Sequence, residues 1–449
     1  MTFLVPFMLF GWVPLTFFLF LYLKPHHAVL ASVIGGWLFL PMAVYNLEGI
    51  PAYSKNSAIA LGLIIGGALC CYRQISSFQW RLYDLPMIVY CLTPVATSVS
   101  NALGIYDGLS TSFYQIVVWG VPYFAGRVFI SGREKLHDLC IAIIVGGLLY
   151  VPLCLYEIRM SPQLSNMFFG FFPHSFGQHM RYGGFRPIIF MQHGLMVALW
   201  MAICSTVAFW LWKENIATYI KGFFFSLPLL TSFLIVTSIL CKSVNGWFAV
   251  IAGCFSYYIF RRSRSNFIFL LLVLTIPLYI GLRSTDTLPI EKIASLAEVF
   301  VDEDRVESLK IRLEQENLFS HKAWERPLLG WGGYERGWPV DPDTDKKLIQ
   351  MIDSTWLIAF STFGLIGLVS LFAAMLLGPW CALRELHEKP YEGEDRVYPT
   401  LLSVVVIIFM IDALLNGMVN PVYILAAGSL VSWYGTKGNI PLPTKRAVV

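Results

Sequence analysis

Apolar residues along this chain come in long uninterrupted runs separated by short polar breaks. The alternating or three-to-four-residue rhythms of half-buried soluble elements are largely missing. The runs lie near 3–22, 28–47, 57–72, 84–103, 112–130, 138–156, 187–212, 222–241, 245–260, 267–282, 353–383, 401–417 and 420–435, thirteen in all. A helix needs ~20 residues to cross a bilayer's hydrocarbon, so the pattern predicts an all-α polytopic transmembrane bundle of about 12–13 spans. A β-barrel would instead show short alternating segments. The first run has no basic start and no small-residue cleavage site, and is read as a retained span. The run at 353–383 is long enough to be tilted or broken, and 84–130 carries enough Ser, Thr, Asn and Gln to face a cavity.

The largest polar interval divides the chain into an N-terminal bundle (1–282), a large extracytoplasmic loop (283–352) and C-terminal helices with a short tail (353–449). Inside the loop, Val306, Leu309 and Leu313 have the i, i+3, i+7 spacing of an amphipathic helix. That helix would carry Arg312. It is followed by Ala323-Trp324-Glu325-Arg326-Pro327-Leu328-Leu329-Gly330-Trp331-Gly332-Gly333-Tyr334, whose glycines suit a turn with positive φ. The residue before a proline disfavours helix, so Arg326-Pro327 is expected to end the helical segment. Trp324, Trp331 and Tyr334 are expected to seat the loop at the membrane interface.

Composition agrees with lipid as the main solvent: 57% hydrophobic, 13% charged, mean hydropathy +0.64. The nine cysteines fall in or beside apolar runs without Cys-x-x-Cys spacing, and read as packing residues. Basic residues gather in loops after odd-numbered spans, among them Lys24, Arg73, Arg127, Arg133, Lys221, Arg261 and Arg384. The positive-inside rule makes those loops cytoplasmic and places the large loop outside. That loop is acidic overall, with nine basic and fourteen acidic residues over 284–352. Anion binding there requires a few placed arginines rather than a general field, and nothing in the charge distribution calls for nucleic acid.

Ionisable groups at span edges are the first candidates for chemistry, because a charge in hydrocarbon is costly unless it faces a cavity or a partner. Arg186, before Pro187 at the mouth of the seventh span, is one, and the proline suits a first helical turn. Lys242 in a short outward turn and Asp353 at the head of the eleventh span are the others. Each has a plainer reading: interfacial anchors for the two cations, and a helix N-cap for Asp353. The glycine cluster lacks a surrounding nucleotide-binding pattern. His174, His179, His193 and His321 lack metal-site spacing, and Asp302, Glu303 and Asp304 lack the ligand alternation of a calcium loop. Neither a metal nor a cofactor is expected in the reaction.

The order of these pieces resembles the O-antigen ligase and polysaccharide polymerase family of membrane glycosyltransferases. The resemblance spans about 183–367. It rests on Phe185-Arg186-Pro187 with Gln192-His193-Gly194-Leu195, on Lys242-Ser243 with Gly246, and on Arg312-Leu313. The turn Arg326-Pro327-Leu328-Leu329-Gly330-Trp331-Gly332 and the run from Asp353 to Gly364-Leu365-Ile366-Gly367-Leu368 complete it. The resemblance implies a multi-pass enzyme of the bacterial inner membrane with an undecaprenyl-pyrophosphate-linked glycan as donor and a glycan or lipid as acceptor. Arg186, Lys242 and Arg312 would bind the pyrophosphate, and Asp353, with Arg312, would be catalytic. Two departures stand out: Asp353-Ser354 replaces the His-Asn pair frequent in ligases, and lysine replaces the usual arginine at 242. Both tilt the reading toward an exopolysaccharide or polymerase-like member. Rival classes are a transporter or flippase, for which Asp412, Asn416 and Asn420 in the last spans speak, and a non-catalytic envelope assembly protein.

Overall fold

The computed structural model describes residues 1–47, 50–263, 266–287, 290, 295, 303–333, 335–340, 347–348, 352–389 and 393–437. The N-terminal half contains α1 (Leu4–Tyr22), α2 (Pro25–Phe39), α3 (Lys55–Cys70), α4 (Tyr72–Ser76), α5 (Leu85–Ser100) and α6 (Ile105–Gln115). These are followed by α7 (Val121–Phe129), α8 (Arg133–Met160), α9 (Leu164–Phe169) and α10 (Gly194–Lys213). Then come α11 (Leu227–Leu240), α12 (Val244–Arg262), α13 (Phe267–Ser284), α14 (Glu303–Trp324), α15 (Thr355–Glu388), α16 (Glu394–Asp412) and α17 (Pro421–Lys437). Each of the thirteen expected intervals holds a helix or consecutive helices, so the all-α bundle is observed. Among the described residues, six helices are long and apolar enough to cross a bilayer: α1, α5 with the turn before it, α8, α10, α13 and α15. The shorter α3, α11 and α17 are also apolar.

Helix α10 is apolar on every side, and nearly all of it is buried among α8, α11, α12 and α16. A helix hydrophobic all round belongs at the centre of a bundle, and this one is its central pillar.

Two sequence expectations are corrected, and one cation gains a partner. The second span does not run to residue 47: α2 stops at Phe39, and Val44–Leu47 pairs antiparallel with Ile50–Ser54. Pro41 explains the stop, since it drives Leu40 into extended backbone, φ −73°, ψ 144°. The seventh span begins at Gly194, so Pro187 lies seven residues ahead of the helix instead of in its first turn. The buried Glu157 carboxylate takes the N–H groups of Ile188 and Ile189, both at 2.8 Å, and holds this segment off helical geometry. Arg127, counted among the cations flanking the odd-numbered loops, is a buried partner of Asp84, with Nε–Oδ1 2.6 Å and Nη2–Oδ2 2.8 Å. Such a bidentate pair is the arrangement in which burying a guanidinium is tolerable.

The polar turn after α14 is locked into a break in α15. The α15 backbone leaves helical geometry at Gly364, φ +66°, ψ −166°. Pro327 O accepts from Leu365 N at 2.6 Å and Leu328 O from Ile366 N at 3.3 Å. In return Trp331 N donates to Ser361 O at 2.9 Å and Gly332 N to Thr362 O at 3.0 Å. The turn thus satisfies backbone groups that the break frees. The approach is too close for side chains: a Cβ on Gly330 would stand 2.6 Å from Gly364 N and Thr362 O, and one on Gly364 would collide with Leu328 O. A third wall comes from α5, where Thr97 Oγ1 donates to Leu329 O at 2.7 Å and Asn101 Nδ2 to Gly330 O at 3.0 Å.

The expected positive φ appears at Gly330, Gly332 and Gly333 (+69°, +62°, +64°). Helix α14 ends at Trp324, before Arg326-Pro327. The tryptophans hold protein more than membrane. Trp331 Nε1 donates to Lys322 O at 2.8 Å beneath the Lys322 and Arg326 cations, and Trp324 Nε1 donates to Ser284 O at 2.6 Å. Tyr334 lies outside the described residues.

Candidate active site

Arg186, Lys242, Arg312 and Asp353 all line one cavity of about 1240 Å³. Four separate segments bring them there. The loop before α10 supplies Arg186, the α11–α12 turn Lys242, α14 Arg312, and the head of α15 Asp353.

Arg312 owes its place to the burial pattern of α14. Val306, Leu313, Phe319 and Ala323 are buried at helical spacing, which lays this helix against α13 and α15. One turn beyond Arg312 on the same face, Glu316 is buried and accepts from Arg283 Nε at 3.0 Å and Tyr279 OH at 3.2 Å. Arg283 Nη2 also donates to Leu313 O at 2.7 Å, so one α13 guanidinium grips α14 twice. Burial raises the Glu316 carboxyl above its ordinary pKa, and Arg283 and Tyr279 pull against that rise. The sequence reading passed over this pair, although Glu316 at i+4 from a candidate arginine is a readable signal.

Asp353 does not cap a helix. Ser354 holds the N-cap position of α15, and the Asp353 carboxylate instead faces Arg312, Nη2–Oδ2 3.5 Å, each side chain 34% exposed. Lys242 sits at φ +51° in its turn and donates Nζ to Tyr182 O at 3.3 Å. The next residue, Ser243, caps α12 by accepting from Gly246 N at 3.3 Å.

Arg186 is nearly buried, with Nη2 donating to Gln178 O at 3.0 Å. His193 stands beside it. Leu195 N donates to its Nδ1 at 3.2 Å, so Nε2 carries the proton and faces Gln178 Oε1 at 3.3 Å. Arg186 Nη2 lies 3.3 Å from the same Nε2. Burial first, and then the Arg186 charge, push the His193 imidazole down to about 3 and the buried His179 imidazole down to about 4. Both rings are therefore neutral at physiological pH. His193 supplies the third ring that the sequence pattern did not place beside His174 and His179, with ring centres 5.0 and 5.7 Å away.

Among the described residues, the charged groups lining the cavity are four cations, Arg181, Arg186, Lys242 and Arg312, and one carboxylate, Asp353. The loop that is acidic overall thus contributes a cation, Arg312, to this lining. Arg181 was missed because loop spacing carries no period; its signal was proximity to Arg186 in a polar, glycine-rich stretch. Asp412, Asn416 and Asn420, singled out in the sequence, lie at the broken passage between α16 and α17. Asp412 Oδ1 accepts from Asn416 Nδ2 at 2.8 Å and Asn245 Nδ2 at 3.5 Å. Asn420 caps α17 by accepting from Val422 N at 2.9 Å. Asn245 and Asn416 line the cavity, and Asp412 is hydrogen-bonded to both.

Fold and site together define a class: a polytopic helical membrane protein with a cavity lined by four cations and one carboxylate. Residues 229–372, about a third of the chain, match the model of the O-antigen ligase family. The family is one of glycan-transferring enzymes of envelope polysaccharides, with lipid-linked glycans as substrates. The match runs from α11 into α15 and includes Lys242, Arg312, the locked turn and Asp353. No curated protein matches the chain.

Proposed function

We propose that the chain is a metal-independent glycosyltransferase of the bacterial inner membrane that takes its glycan from an undecaprenyl-pyrophosphate donor at the outer face. It adds that glycan to a sugar or lipid hydroxyl in O-antigen or exopolysaccharide assembly. The observation that carries this reading is the convergence of Arg186, Lys242, Arg312 and Asp353 on one cavity. Arg186 and Arg312 suit multidentate phosphate contacts and Lys242 a point contact. Negative charge grows on the pyrophosphate oxygen as the glycosidic bond breaks, and fixed cations in a chamber poor in water stabilise that charge.

The Arg312–Asp353 pair suggests an order of events. A diphosphate entering the cavity competes for Arg312 and releases Asp353 from its partner. The freed carboxylate then takes the proton of the acceptor hydroxyl as that oxygen attacks the anomeric carbon, and the lipid pyrophosphate leaves with the bonding electron pair. The configuration at the anomeric carbon inverts in this single displacement.

The test is reconstitution with a lipid-linked donor and a glycan acceptor. Arg312→Ala and Asp353→Asn are each expected to abolish product on a gel at unchanged membrane abundance. Normal product from both well-expressed variants would overturn the assignment.

A further inference from the structure

The first turns of α2 and α8 meet at the end of the bundle away from the cavity. His26 Nε2 lies 3.1 Å from Asp138 Oδ2, and His27 Nε2 lies 3.7 Å from the same oxygen. The ligand atoms of the three residues fall within 4.8 Å of one another. The other carboxylate oxygen, Oδ1, is 3.3 Å from His137 Nδ1, which fixes the carboxylate's orientation. At 3.7 Å, His27 is too far to share the hydrogen bond that His26 makes, so two imidazoles aim at one oxygen and one is poorly served.

A tetrahedral ion with bonds of ~2.0–2.1 Å sets its ligands roughly 3.3–3.4 Å apart. The two histidine–carboxylate edges, 3.1 and 3.7 Å, bracket that spacing, and the third edge of the triangle is no longer than 4.8 Å, a gap that side-chain adjustment on binding would close. We propose that His26, His27 and Asp138 bind a zinc-class divalent transition ion that cross-links α2 to α8 and leaves its fourth position to water. Two imidazoles select against magnesium and calcium, which take oxygen ligands. His137 is the outer hydrogen-bond partner that ligating carboxylates ordinarily have. Lys135 stands close enough to act on His26 and tempers the affinity without occupying a ligand position.

The site is independent of glycan transfer. Asp138 is nineteen residues along α8, a span of roughly 28 Å, from Glu157, which holds Ile188 and Ile189 in the segment between the cavity residues Arg186 and Gln192. The ion would act as a clamp on the far end of the bundle.

The experiment uses the full chain in detergent, purified without a polyhistidine tag and stripped with EDTA. Equilibrium dialysis against Zn²⁺ and titration with Co²⁺ are followed by metal analysis and visible absorption. One equivalent of zinc per chain is expected, with tetrahedral cobalt bands that zinc displaces and no competition from magnesium. His27→Gln and Asp138→Asn are expected to weaken zinc at least tenfold, while His179→Gln leaves it unchanged. The His27 side chain is 44% exposed, so its replacement spares the helix packing. Absence of stoichiometric zinc, or undiminished zinc in a monodisperse His27→Gln protein, overturns the proposal. An octahedral cobalt spectrum of the unaltered chain overturns it without recourse to any variant.

Discussion

Replacing Gly364 with alanine asks whether the turn Pro327–Gly332 and the break in α15 are one mechanical unit. At φ +66°, ψ −166°, Gly364 occupies backbone territory nearly exclusive to glycine, so any side chain adds ~1–3 kcal/mol of strain. The new Cβ would also collide with the Leu328 carbonyl and lie 2.6 Å from Leu329 N. Backing the turn away sacrifices the Leu365 N–Pro327 O and Ile366 N–Leu328 O hydrogen bonds, each worth a net ~1 kcal/mol. The expected loss is ~3–5 kcal/mol, read by SDS titration in mixed micelles. Gly281→Ala is the control: nothing stands within 4 Å of a Cβ there, and removing a helical glycine changes stability by at most ~1 kcal/mol in the favourable direction. Gly330→Ala attacks the same contact from the other side, so the double variant is expected to cost ~1–3 kcal/mol less than the sum of the singles. Gly364→Ala behaving like Gly281→Ala, or strict additivity in the double variant, would refute the reasoning.

Glu316→Gln removes the carboxylate from the buried Arg283 pair and is expected to destabilise the protein by ~3 kcal/mol. It should also reduce glycan transfer although Glu316 does not line the cavity, because Arg312 loses its brace; transfer by reconstituted protein is the readout. For His179 the sign follows from its lowered value, about 4 against the ordinary ~6.5. The unfolded chain binds the extra proton, so stability is full above pH ~6.5 and falls toward pH 4 by up to ~1.4 kcal/mol per pH unit. His179→Gln should flatten that part of the stability profile, and an unchanged slope would remove His179 as its source. Arg127→Ala strands the buried Asp84 carboxylate and is expected to cost ~3–5 kcal/mol in the same titration.

The helices were legible because lipid demands long apolar runs and nothing else in the chain imitates them. Their ends were less so, since a hydropathy run continues through residues that local geometry excludes. Val44–Leu47 is apolar enough to extend α2, yet Pro41 has already turned the chain. Arg186, Lys242, Arg312 and Asp353 could be singled out by residue type and position, because charges at span edges are few. Partners were illegible. Arg127 looked like one more inward-facing cation until Asp84, far away in sequence, appeared against it. Asp353 had the spacing of an N-cap, and only the folded chain reveals Arg312 opposite it. Glu316 was one acid among many in an acidic loop; what distinguishes it is burial, which no single-residue property announces.

The interlocked turn and helix break redraw where this protein can be cut and rejoined. A chimera spliced at residue 352, where the large polar interval gives way to α15, would pair a foreign turn with a native break. The two surfaces meet through backbone atoms at distances that admit no Cβ, so a turn with a slightly different course has no soft side chain to absorb the misfit. A splice placed beyond Ile366 carries both halves together. The transplantable cassette is therefore the large polar loop plus the opening turns of α15, and screens that exchange loops among relatives should take their junctions from that seam.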